Sequence, residues 1–374
     1  MQIDCSVKLR VVEINPWEDS RWEAFVTGHP DGTIYHHPAW LKALEREYKQ
    51  RAVFLACEDP DGNLLGILPL LYTRGLPLSG NRPLTGPRLS SLPRTPLAGP
   101  LTVDPVATAE LLREAVRRAT AEPRIRMQIK AHCGEVSDGI DGIARKPWRV
   151  SYVVRLAGRP GETYTIANSQ NRSSIKRAVN KGLVNGVRTR SAESEADLRV
   201  WYGMYLETMR RNLAVARPYR FFFALWELMH SKNLMRLILA EHHTDEGSRI
   251  IGGYIFFAFG HTVTYAFGAS RTSDLFLRPN DIILWQAIND ASQGGFHFVD
   301  LGEVPEGDDE LARFKRKWGA DPVRLYRYYY PDFPDTERST NKIRYAPMCL
   351  AKLIWRHMPL IMTAWLGDCI YGYL

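Results

Sequence analysis

Three stretches of the chain carry residue types at spacings that could do chemistry. In NRSSIKRAVNKG, residues 171–182, Arg172, Lys176, Arg177 and Lys181 recur near helical spacing, with Ile175 and Val179 on the opposite side. Such a face suits phosphate groups, or it is simply a solvated face. In LRPNDIILWQAINDASQGGFHFVDLGE, residues 277–303, Pro279 pre-sets a helix start and Asn280 or Asp281 serves its first turn. Ile283, Leu284, Ala287 and Ile288 would pack that helix on a sheet, and FHFVDLG follows as a buried strand. Asp300 sits near the end of that strand, where α/β sheets present ligand-binding groups. It either orients a substrate amine or acts as a general base, or it caps a turn.

The third stretch is LARFKRKWGADPVRLYRYYY, residues 311–330. Phe314 and Trp318 stand four apart and pack one helical face, with Lys315 and Lys317 off it. A lysine held in an aromatic frame stabilises a phosphate or a developing oxyanion without being a nucleophile; the alternative is a surface lysine. Tyr326, Tyr328 and Tyr330 alternate along a strand, which is a packing pattern.

The elements that must position these groups fall into two halves. In the first, Lys8 to Ile14 read as a strand, 38–49 as a helix, and 52–72 as a hairpin around Asp59-Pro60-Asp61-Gly62. Residues 73–100 read as a long loop, 104–122 as a helix, and 124–130 and 149–156 as strands. In the second, 168–184, 194–213 and 219–232 read as helices, 234–259 as a hairpin and 262–270 as a strand. Helix 280–293, strand 296–302, short helix 308–317 and a terminal strand 324–330 complete it. Each half runs a helix into a hairpin. Leu55-Ala56 aligns with Leu239-Ala240 and Leu65-Gly66 with Ile251-Gly252, which points to a duplicated domain rather than a short-period solenoid.

Composition narrows the partners. The 374 residues suit two domains, and 45% apolar with 24% charged residues is ordinary globular usage. A net charge of +8 favours an anionic partner. Five scattered cysteines without a CxxC pair predict neither a disulfide framework nor a structural zinc, and fit a reducing compartment. The N-terminus lacks the apolar core of a signal peptide, so a cytoplasmic protein is expected. His36-His37 has no partner motif and predicts a turn or core role rather than a metal. Metal-protease, P-loop, nucleophile-elbow and dinucleotide fingerprints are missing.

Taken together, N-R-x-x-I-K-R-A at 171–178, Pro279-Asn280, WQAI at 285–288, DLG at 300–302, FKxxWGA at 314–320 and YYYP at 328–331 resemble the Fem-like GNAT acyltransferases. That group includes enzymes that add amino acids to peptidoglycan precursors and acyltransferases of polysaccharide systems. The resemblance implies an α/β (α+β) protein of two tandem GNAT-like lobes, each a mixed twisted sheet flanked by helices. The lobes would span 1–157 and 158–335, with a tail at 336–374. It implies transfer of an acyl or aminoacyl group to an amine or hydroxyl of an envelope acceptor, by direct attack in a ternary complex. Lys315 and Asp300 would be catalytic. Arg172, Lys176, Arg177, Asn280, Trp318 and Tyr328 would bind substrate.

The donor would be acyl-CoA or aminoacyl-tRNA, with no metal. The loop that cradles pyrophosphate in simple GNAT enzymes carries glycines, but RTSDLFLRPND here has none, which leaves aminoacyl-tRNA open. A coenzyme A-dependent N-acetyltransferase of a small molecule, or a non-catalytic shell that binds RNA or anionic lipid, would share these features. The tail, residues 343–374, is apolar with sparse cations and its run 358–366 is too short to span a bilayer. It would lie on an anionic membrane face with Trp355 and Trp365 at headgroup level, or pack on the second lobe or on a partner. The expected location is cytoplasmic, with peripheral contact at the inner membrane face.

Overall fold

The computed structural model describes residues 9–48, 50–75, 86–122, 125–132, 136, 140–332, 355, 357–371 and 373. The chain packs into two compact units. The first takes the described residues up to 148, those of 324–332, and 373; the second takes 149–323 and the described residues of 355–371.

In the first unit the elements are β1 (Arg10–Glu13), α1 (Ser20–Gly28), α2 (Pro38–Tyr48), β2 (Ala52–Glu58), β3 (Leu64–Thr73), β4 (Arg88–Ser90), β5 (Leu101–Thr102), α3 (Pro105–Ala121) and β6 (Arg126–Ala131). The β2–β3 turn forms because Asp59 Oδ1 accepts from Asp61 N and Asn63 N at 2.9 and 2.8 Å, while Gly62 takes φ +86°. Asp104 caps α3 through Ala107 N at 2.8 Å, ahead of Pro105. Strands β1, β2, β3 and β4 pair antiparallel in that order, and β4 pairs parallel with β6. The core gathers Val53, Leu55, Leu68, Leu111 and Ile129. Both histidines of the His36-His37 pair are buried. His36 sets Nε2 3.0 Å from Gly99 O and Nδ1 2.8 Å from Thr33 Oγ1, so Nε2 carries the proton and the hydroxyl donates to Nδ1. Burial pulls this imidazole down to about 4.

The second unit opens with β7 (Ala144–Arg155), which crosses into it after Trp148. It continues through α4 (Ser169–Val184), β8 (Val187–Ser191), α5 (Glu195–Arg211), α6 (Tyr219–Leu225), a π-helical turn at Trp226–His230, β9 (Met235–Thr244), β10 (Gly247–Phe259) and β11 (Thr262–Ser270). A 3₁₀ turn at Thr272–Leu277, α7 (Pro279–Gln293), β12 (Phe298–Val304) and α8 (Asp309–Lys317) follow. Strands β8, β9, β10 and β11 pair antiparallel, β11 pairs parallel with β12, and β12 pairs antiparallel with β7. Trp318, Val154, Ile175, Ile283 and Val299 lie in its core.

Strand β13 (Asp321–Tyr330) returns to the first unit, where Tyr326–Tyr330 pair antiparallel with Met127–Ala131 of β6. The two units therefore repeat one ladder: three antiparallel steps, one parallel, one antiparallel. This is the duplicated architecture expected from the aligned hairpins. The final strands are exchanged, however. The strand at 149–156, read as the end of the first half, completes the second sheet through β12, and 324–330, read as the end of the second half, completes the first. Strand propensity is local, whereas the pairing partner of 326–330 lies about two hundred residues away and is chosen by the assembled core.

Of the expected tail, residues 336–354, 356, 372 and 374 lie outside the described residues. Helix α9 (Leu360–Tyr371) docks within the second unit by its inner face, Thr363, Gly367 and Tyr371. A Cβ on Gly367 would meet Ala216 O at 2.4 Å. Buried Arg217 lies 4.2 Å over the Phe221 ring and donates to Tyr371 Oη at 3.3 Å. Among the described residues no helix is long and apolar enough to cross a membrane.

Candidate active site

The site grows from β12 and α8. Asp308 caps α8 through Leu311 N at 3.1 Å, acids fill its first turn and Lys315, Arg316 and Lys317 its last, matching the helix dipole. Gly319, at φ +78°, ends it: a Cβ there would fall 2.5 Å from Tyr164 Oη, which donates to Trp318 O at 2.7 Å. Burial of that phenol pushes Tyr164 up to about 12, so it stays a donor.

Lys315 is not the surface lysine that its sequence neighbours allow. It is 5% exposed, and its Nζ donates to Gly302 O at 2.8 Å and Glu303 O at 3.1 Å. Burial pulls the ammonium down to about 8, against the fields of Asp300, Glu303 and Asp308, which hold it up. The two carbonyls converge because β12 is irregular here. Its register with β7 shifts between Asp300 and Glu303, and Gly302 takes φ +80°. Asp300 Oδ1 fixes the bend by accepting from Ser151 Oγ at 2.6 Å and Gly302 N at 2.8 Å. Arg149 ion-pairs with Glu303. Asp300 thus spends one carboxylate oxygen on its own strand and on neighbouring β7, a geometry closer to the turn-capping alternative than to a free general base.

The parallel contact between β11 and β12 ends at Thr264 and Asp300. Beyond it, a Cβ on Gly302 would come within 3.3 Å of Tyr265 O. The Tyr265 and Tyr254 rings lie tilted against each other, centroids 4.8 Å apart, and burial raises both phenols far above their ordinary range.

A second group of elements reaches the same helix. Lys317 Nζ lies 3.4 Å from Asp281 Oδ1 in the first turn of α7. Asn280, one residue earlier, accepts from Ser270 Oγ at 2.5 Å. The residue before Pro279 is Arg278, at φ +61°, and no side chain caps α7. Helix α4 packs its Gly182 against this corner, where a Cβ would meet Ile282 Cδ1 at 2.3 Å and Leu277 O at 2.6 Å. Asn168 caps α4 through Asn171 N at 3.0 Å.

The sequence-predicted residues therefore separate. Asp300 and Lys315 share one cluster with Ser151, Gly302 and Glu303. Asn280 joins it indirectly, through neighbouring Asp281 and Lys317. Arg172, Lys176 and Arg177 line the exposed side of α4, with Arg172 Nη1 donating to Ile166 O at 3.3 Å. Trp318 is fully buried core, and Tyr328 is buried in the first unit, donating to His132 O at 3.2 Å. Asp281, expected to serve the first turn of α7, instead pairs with Lys317, whereas Ser151 and Arg316, which lies over the Tyr152 ring and donates to its Oη at 3.1 Å, carry no signal in the sequence. The one sequence signal for this corner was the glycine inside a strand at DLG, which marks a bulge. No group of three or more His, Cys, Asp or Glu side chains among the described residues could hold a metal.

Residues 169–316 match the family model described as acetyltransferase (GNAT) domain. The fold is that of the GNAT acyltransferases. The matched span runs from the start of α4 into α8 and contains Asp300 and Lys315. Among solved structures the chain is similar to FemX, with TM-score 0.63 and 17% identity over 85% of this chain and 96% of that one. It is also similar to the C-terminal domain (DUF2156) of a putative lysylphosphatidylglycerol synthetase from Agrobacterium fabrum, TM-score 0.56, 11% identity, 88% and 96% covered. A tandem GNAT protein from the clavulanic acid biosynthesis pathway matches at TM-score 0.50 and 10% identity over 88% of this chain and all of its own, 100%. At these identities the likenesses carry the fold. No curated protein matches the chain.

Proposed function

We propose that this chain is an acyltransferase that passes an acyl or aminoacyl group to an amine or hydroxyl of a cell-envelope acceptor. The observation that carries the reading is Lys315: a buried ammonium, two of whose protons go to backbone carbonyls at the irregular step of β12, leaving one for a ligand. In the proposed reaction the acceptor nitrogen or oxygen attacks the donor carbonyl within a ternary complex. The new C–N or C–O bond forms, the thioester or ester bond breaks, and the nucleophile's proton ends on the leaving thiol or ribose hydroxyl. Lys315 donates its third N–H to the carbonyl oxygen as charge develops there. Asp300 positions it, by holding the bend from which Gly302 and Glu303 present their carbonyls. Arg172, Lys176 and Arg177 bind phosphate groups of the donor or acceptor, and Asn280 orders the start of α7.

The likeness to FemX and to a lysylphosphatidylglycerol synthetase domain supports an envelope acceptor, peptidoglycan-, polysaccharide- or lipid-linked, and a protein working at the inner membrane face. Both acyl-CoA and aminoacyl-tRNA are donors that a cationic face of this kind would take. The test is thermal shift and native mass spectrometry with acetyl-CoA, longer acyl-CoAs and charged tRNA. Binding of one donor class is expected, weakened about tenfold or more by Arg172→Ala with Lys176→Ala, with a salt slope reduced by ~1 per lost phosphate contact. Binding of none of these donors would sink the reading.

A further inference from the structure

The tail helix has two faces, and only one is used inside the unit. Thr363, Gly367 and Tyr371 are buried, whereas Ile361, Met362 and Trp365 are 84%, 48% and 61% exposed along the other side. A second apolar tip stands on the 3₁₀ turn, where Phe276 is 61% exposed beside half-exposed Leu275. The two are joined through the end of α5. Arg210 Nη1 donates to Met358 O at 2.9 Å at the start of α9, and neighbouring Arg211 donates to Thr272 Oγ1 at 2.5 Å at the start of the turn.

The charges around both tips are mostly positive. Arg211, Arg271 and Arg278 flank the turn, and Arg210 reaches the start of the tail helix. Two of the nearby acids are held, Asp274 by Arg249 at 2.6 Å and Asp368 by Arg220 at 2.5 Å. An exposed apolar stripe set among cations matches a bilayer with anionic headgroups. It does not match a protein interface as well, because a few exposed side chains fall short of the roughly 800 Å² per partner that a standard interface buries. At 12 residues α9 is too short to span, so it would lie in the plane of the interface, with Trp365 at headgroup depth.

We propose that the outer face of α9, with the Leu275–Phe276 tip and the arginines between them, beds the second unit on an anionic bilayer. The proposal deepens, and for its purpose rests on, the reading of the acceptor as a membrane-linked envelope precursor. The experiment is flotation of the full chain with phosphatidylglycerol-containing and with pure phosphatidylcholine vesicles. The wild type is expected to float with the first and much less with the second. Ile361→Ser with Trp365→Ser, and separately Phe276→Ser, should each lower vesicle affinity by about tenfold or more, with unchanged thermal melting because the replaced side chains are exposed. Lys315→Met should float like the wild type, so loss of transfer and loss of docking are separable. Failure of the wild type to float, or flotation indifferent to both sets of substitutions, overturns the proposal. So does a concentration-dependent dimer in sedimentation that the same substitutions dissolve, since the face would then belong to a second copy.

Discussion

The two units share a ladder and differ in where its buried lysine comes from. In each, two strands run parallel for three residue pairs and then part: β4 and β6 after Ser90 and Gln128, β11 and β12 after Thr264 and Asp300. Two residues further on, the first unit has Lys130 and the second has Gly302. Lys130 is buried, and its Nζ donates to Leu92 O at 2.5 Å and Thr95 O at 3.1 Å, fastening the segment that follows β4. Ser91 Oγ accepts from Lys130 N at 2.8 Å and tightens the same corner. In the second unit the strand offers only a glycine at that place, and its buried lysine comes from α8, reaching the bend from outside the ladder. One lysine fastens a loop to the end of the parallel pair; the other fastens a bend in one of its strands. A duplicated fold can thus keep its architecture in both copies while its buried lysine comes from a different element in each.

The contrast makes graded predictions. The largest effect is expected from Lys315→Met, which should lower kcat for acyl transfer by about 10²–10³-fold, while Lys130→Met leaves kcat per folded molecule unchanged. Equal losses from both would break the comparison. Lys130→Met should instead lower stability by about 1–3 kcal/mol in urea unfolding, because two buried carbonyls lose their donor. Gly302→Ala, which puts a Cβ where φ is +80° and Tyr265 O is 3.3 Å away, should cost about 1–2 kcal/mol and weaken donor binding. The smallest effect is on pH dependence. Lys315 is held at about 8, so turnover that needs its ammonium should fall as pH rises through that value. Asp300→Asn removes a charge that holds the ammonium up, so the midpoint of that fall should move to lower pH. A midpoint that stays put or rises in the pH–rate profile would mean that Asp300 does not face this lysine.

Much of the architecture was legible in the chain. The Asp59–Gly62 turn, the Asp104-Pro105 cap, the apolar period of α7 and the paired hairpins each encode their element through local physics: dihedral preference, capping and periodicity. The resemblance of ordered motifs located the lobe that holds Lys315 and Asp300. It also picked Trp318 and Tyr328, which the core took for packing, because an aromatic in a motif reads alike whether it faces a ligand or a neighbour.

What the sequence determined by itself is therefore the set of elements, their doubling, and the basic helix and lysine-bearing turn of the second half. Tertiary structure alone decided which sheet each terminal strand completes, that Lys315 is buried, and that Asp300 holds a strand bend. It also decided that the first unit's buried lysine, Lys130, fastens the loop after β4. The physical reason is distance along the chain. Caps and periodicity act within a turn or two, whereas burial, register and the meeting of an ammonium with two carbonyls depend on partners that only the folded core brings near.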